Sequence, residues 1–115
     1  MKTQAELIEE IAWRRRPREV IFEELRVFES VSDIYILPLS AVTDIINLRI
    51  AGKIAEKEVV EWASFFECRE EVDYHENERD RISEAIFLLA NPEINYPLTE
   101  ENLRMILRKC ESHEN

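Results

Sequence analysis

Apolar residues recur along this chain every three or four positions, the spacing of one face of an α-helix, and nowhere alternate cleanly as in a half-buried strand. The first stripe is Ala5, Ile8, Ile11 and Ala12, with Leu7 beside it. Thr3 and Glu6 stand in capping-box spacing at its start, where each side chain bonds the other's backbone N–H. Arg14, Arg15 and Arg16 are expected in the last turn, where cations offset the negative end of the helix dipole. Pro17 then ends the segment or opens the next. A second helix is expected over Arg18 to Glu29, with Ile21, Leu25 and Phe28 inward and Phe22 at the edge of the stripe.

Ser40 is placed to cap a third helix over Ala41 to Ala51, with Val42, Ile45, Ile46, Leu48 and Ile50 as its apolar face. Gly52 follows where a left-handed helix end favours glycine. Ala55 to Cys68 predicts a fourth helix with Val59, Trp62, Ala63 and Phe66 on one side. A connection over Val72 to Glu78 leads to a fifth helix ending at Ala90, with Ile82, Ala85, Ile86 and Leu89 aligned. Asn91-Pro92 stops it, because proline disfavours helix in the residue before it. Thr99 caps a sixth helix, with Glu100 and Glu101 in its first turn and Leu103, Ile106, Leu107 and Cys110 as its stripe.

Val31 to Leu37 is the irregular piece. Its Ile34-Tyr35-Ile36-Leu37 run has strand character, but no second strand stands out to pair with it, so it reads as an extended, partly buried connection. The expectation is a single all-α domain over residues 1–115, a compact bundle of five or six short helices. Residues 110–115 are expected to be a frayed tail.

Composition agrees with this picture. A hydrophobic fraction of 45% over 115 residues is enough for one core and too high for a disordered chain. One glycine and four prolines leave little turn chemistry for a many-stranded sheet. The longest apolar run, Ile34 to Leu39, is far short of the ~20 residues a membrane span needs, and the opening residues lack the apolar stretch of a signal peptide. A cytoplasmic location is the expectation. The two cysteines, Cys68 and Cys110, form no dense disulfide framework and are expected as buried thiols.

Charge narrows the partners. The chain carries a net charge of −10, and the stretch from Glu56 to Glu84 holds eleven acids against four bases, a net −7. Binding to nucleic acid or to an anionic membrane is disfavoured, since both need clustered Lys and Arg. A basic protein partner is favoured, because opposite fields speed encounter and select among partners. The candidate docking residues are Glu67, Glu70, Glu71, Asp73, Glu76, Glu78 and Asp80, with Tyr74 as the exposed aromatic at their centre. Phe65, among Glu58, Glu61 and Glu67, is a second surface candidate, whereas Trp62 and Phe66 read as core. The competing account is a charge run that solvates a helix face.

Motifs for chemistry are missing. Cys68, His75 and His113 do not have the spacing of a zinc site, and Arg79 stands where a zincin helix would carry its second histidine. Asp73 to Glu84 lacks the glycine and the alternating carboxylates of a calcium loop. The lone Gly52 supports neither a nucleophile elbow nor a phosphate-cradling loop. No enzyme activity, metal or cofactor is expected. The Arg14-Arg15-Arg16-Arg18 cluster reads as a helix end neutralised by Glu9, Glu10, Glu19 and Glu23, with a small-anion or RNA contact as its alternative.

From Ser40 to Leu107 the chain resembles small bacterial immunity proteins of toxin systems, most nearly the colicin D immunity type. The residues that carry the resemblance are the apolar helix and corner from Asp44-Ile45-Ile46-Asn47-Leu48-Arg49-Ile50-Ala51-Gly52 to Lys53-Ile54, then the Glu-rich helix with Trp62-Ala63. The chain departs from that pattern in Ala55, where a capping residue is expected, and in the helical region from Thr3 to Glu29. The resemblance implies a helix bundle whose acidic residues occupy the basic substrate cleft of a nuclease toxin. The alternative from another class is a structural or regulatory subunit whose apolar stripes support a homodimer or larger assembly.

Overall fold

The computed structural model describes residues 1–111. The capping box forms as the spacing predicts: Glu6 N–H donates to Thr3 Oγ1 at 3.1 Å and Thr3 N–H donates to the Glu6 carboxylate at 2.8 Å, opening α1 (Gln4–Ala12). There follow α2 (Arg18–Leu25), β1 (Tyr35–Leu37), α3 (Leu39–Ile50), α4 (Glu56–Glu67), β2 (Val72–Tyr74), a 3-10 turn (Glu76–Glu78), α5 (Arg79–Ala90) and α6 (Glu100–Glu111). The result is a mostly helical globule of six helices with one small parallel sheet, described by a radius of gyration of 14.1 Å. No helix in the described residues is long and apolar enough to cross a membrane.

Two helix ends obey one motif with different residues. At α3, Gly52 adopts φ +75°, its N–H donates to Arg49 O and that of Lys53 to Leu48 O, both at 2.9 Å. These are the paired bonds of a Schellman cap, which satisfy carbonyls the helix leaves unpaired. At α1 the same bonds run from Arg14 to Ile11 O and from Arg15 to Glu10 O, with Arg14 itself at φ +54°. The helix therefore ends at Ala12, and the arginines expected in its last turn lie in the corner beyond it. The second helix is also shorter than expected, ending at Leu25.

Ser40 does not cap α3. The helix starts at Leu39 after Pro38, and the Glu78 carboxylate accepts the Leu39 N–H at 3.3 Å. The Ala55 end of α4 has half a capping box, since Glu58 reaches back to the Ala55 N–H at 3.2 Å. Thr99 caps α6 as predicted, accepting the Asn102 N–H at 3.2 Å. The sixth helix continues through Glu111 with Cys110 fully buried, so the fray expected from residue 110 does not begin there. The remainder of that expected tail, with His113, lies outside the described residues.

The irregular run is a strand after all. β1 pairs in parallel with β2, Tyr35 opposite Val72, Ile36 opposite Asp73 and Leu37 opposite Tyr74. A parallel pair needs a long crossover, supplied here by α3 and α4. Tyr35 and Leu37 turn inward and Ile36 outward. One contiguous core joins all six helices and β1, with Ile8, Leu37, Ile46, Phe66, Ile86, Leu103 and Ile106 among its fully buried side chains. The most extensive helix contact is between α4 and α5, the two helices that flank the acidic segment.

Candidate functional site

The acidic segment leaves α4 at Glu67 and is fixed by backbone bonds on both sides of β2. Tyr35 N–H donates to Glu71 O at 2.8 Å and His75 N–H to Leu37 O at 3.1 Å. Its side chains then divide by what they touch. Glu67 accepts from Asn91 Nδ2 at 2.8 Å, tying the end of α4 to the end of α5. Glu71 is partly buried and pairs with Arg69 at 3.3 Å. Glu78 is taken up by the start of α3 and faces His75 Nδ1 at 3.8 Å. Asp73 accepts from both terminal guanidinium nitrogens of Arg79 and from the N–H of Tyr74. The guanidinium above all, then that amide, hold its carboxyl below the usual carboxylate range.

Glu70, Glu76 and Asp80 are exposed and have no ion pair or side-chain hydrogen bond among the described residues. Of the eight expected docking residues, these three carboxylates present unengaged charge.

Tyr74 is not the exposed aromatic that was expected. It is partly buried against the core, and its hydroxyl donates to Phe66 O at 2.7 Å. Burial, reinforced by the charges of Cys68 and Glu67, pushes its phenol up to about 12. Phe65 is likewise buried. Its ring stacks on Phe22 at 5.7 Å, meets Phe66 edge-on at 4.9 Å, and carries the Arg69 guanidinium at 4.0 Å from its centre. Phe66 and Arg69 are local cover, but the stacking partner Phe22 comes from α2, more than forty residues earlier, and nothing in α4 signals it. Trp62 is core as expected, with its indole N–H donating to Ala12 O at 3.1 Å. Cys110 is buried as expected, but Cys68 is exposed, and both thiols are free.

The arginine cluster has partners on three elements. Arg14 pairs with Glu58 at 2.7 Å and Arg18 with Glu61 at 2.6 Å, so two arms cross to α4. Arg16 binds both the buried Glu10 and Glu24, and Arg15 stands 3.6 Å from Glu9. Glu9 and Glu10 are among the expected neutralising acids, whereas Glu24, Glu58 and Glu61 replace Glu19 and Glu23. The substitution follows from the early end of α1, which turns the arginines toward α4. The four arginines line a cleft of about 490 Å³ between the α1–α2 corner and α4.

Among the described residues, no three His, Cys, Asp or Glu side chains are grouped to hold a metal ion. His75 is exposed at the end of β2, beside Glu78. Comparison with family models, curated proteins and solved structures gives no match to this chain.

Proposed function

We propose that this chain is a non-catalytic acidic binding protein acting in the cytoplasm, where it inhibits a basic protein partner. The partner class that best fits the charge and the resemblance is a bacterial nuclease toxin, whose nucleic-acid cleft the carboxylates would fill in place of phosphates. The observation that carries the reading is the trio Glu70, Glu76 and Asp80, unengaged and exposed on a segment pinned by β1 on one side and α5 on the other. The backbone that carries them is already fixed and needs little ordering on binding, so the ordering cost is confined to the side chains. Asp73 can join them, because a half-exposed pair such as that with Arg79 contributes little and exchanges readily for a partner's cations.

The test compares the wild type with a triple reversal, Glu70→Lys, Glu76→Lys and Asp80→Lys, and with a control reversal at Asp44, Glu93 and Glu101. Both change net charge equally, and all six side chains are exposed. Wild type immobilised against extracts of the producing cell should retain a basic protein whose nuclease activity it blocks. The acidic-face reversal should abolish retention and the control should weaken it only modestly. Retention that ignores both the reversal and rising salt would overturn the docking face.

The homo-oligomer reading has one observation in its favour, the exposed Ile34 and Ile36 at the open two-stranded sheet. Sedimentation equilibrium separates the two readings, since a monomer at micromolar concentration leaves the subunit reading without its interface.

A further inference from the structure

We propose that the cleft between the α1–α2 corner and α4 binds a small organic phosphate. At about 490 Å³ it lies within the size range of small-molecule sites. Ile11, Ile21 and Trp62 form its floor, already closed from water, Pro17 and the arginine stems give it exposed apolar surface, and Arg14, Arg15 and Arg18 supply cations beside the carboxylates of Glu19 and Glu58. On a chain of net charge −10, four of the fifteen Lys and Arg residues fall within five positions here. Guanidinium groups are planar forks that match phosphate oxygens in pairs, and several around one cleft favour a dianion over a monoanion.

The first turn of α2 adds donors. Pro17 stands at its cap without a side-chain bond, and the N–H groups of Arg18 and Glu19 have no partner among the described residues. Both residues line the cleft. Unpaired N–H groups and the positive end of the helix dipole favour an anion at this place.

The arginines are not equivalent. Arg16 is held by two carboxylates, one of them buried, and belongs to the frame. Arg14, Arg15 and Arg18 each meet a single partly exposed carboxylate, and such pairs add little stability. A dianion that engages all three replaces those pairs at small cost, while an apolar or planar body attached to it lies on the exposed Pro17 and the aliphatic stems of the arginines. The ligand class is therefore a phosphate monoester with an apolar body. This site is independent of the acidic face.

Phenyl phosphate titrated into the full chain, followed by tryptophan fluorescence and calorimetry, tests the assignment. One-to-one saturable binding is expected, at least about tenfold tighter than inorganic phosphate or benzoate. Arg14→Gly and Arg15→Gln should each weaken it by about tenfold or more while the thermal transition stays in place. Arg26→Gln, at an exposed guanidinium remote from the cleft lining, should leave it unchanged. Absence of saturable binding, equal affinity for the three anions, or an equal loss in Arg26→Gln would overturn the site.

Discussion

At Arg14 a long side chain sits where the backbone has φ +54°, a conformation that brings Cβ against the following carbonyl and costs roughly 1–2 kcal/mol outside glycine. The Arg14–Glu58 pair, partly exposed at both ends, returns only about 0.5 kcal/mol. Arg14→Gly should therefore leave the denaturation midpoint at or slightly above that of wild type. A loss greater than about 1 kcal/mol in urea titration would show that the ion pair outweighs the strain. Gly52 provides the converse. A Cβ there meets nothing within 4 Å, so Gly52→Ala should destabilise by about 1 kcal/mol through backbone strain alone. Trp62 is the larger test of packing. Its burial and its bond to Ala12 O imply a cost of roughly 3–5 kcal/mol for Trp62→Ala.

Elements were legible in proportion to how local their causes are. The stripes of α3 to α6 and the caps at Thr3, Gly52 and Thr99 could be read directly, because side chains three or four residues apart decide them. The β1–β2 pair could not be read. Each strand has three residues, and the partners stand thirty-seven positions apart, so neither alternation nor a turn announces them. The acidic face was half legible for the same reason. Charge counts locate carboxylates, but only tertiary structure shows that Glu67 is consumed by Asn91, Glu78 by Leu39 and Tyr74 by Phe66. Amide exchange gives the element-scale check. The N–H groups of Tyr35 and His75, which close the sheet, should exchange more slowly than that of Val31 in the preceding connection. Equal rates would mean that the pairing is not persistent in solution.

For the molecule as a whole, pH should act from both sides. Burial raises the phenol of Tyr74 to about 12 and the thiol of Cys110 to about 11, from ordinary values of 10.0 and 9.0, and raises that of Tyr35 as well. The folded state thus holds these protons more tightly than the unfolded chain. Their contribution is fully present below about pH 9 and is lost as pH climbs through about 11 to 12. Thermal melts should fall over that window, and Tyr74→Phe should flatten part of the decline. On the acid side, Arg16 lowers the carboxyl of Glu24, the Ala55 amide and Arg14 lower that of Glu58, and Arg79 that of Asp73. Stability from those groups is fully present above the ordinary carboxylate range and is lost as pH falls below it, through their lowered folded values.

The parallel pairing of β1 with β2 also governs what happens when the chain is cut. Lys53 lies exposed at the corner between α3 and α4, an accessible site for trypsin. A nick there gives two pieces, each holding one strand of the sheet and part of one shared core. Neither piece can close its sheet or bury its stripes by itself. The fragments should therefore stay together through gel filtration under native conditions and separate only in denaturant. Mixed after separation, they should recover helical signal that neither shows alone. The same dependence applies during synthesis, since β1 waits for its neighbour until Tyr74 has been made.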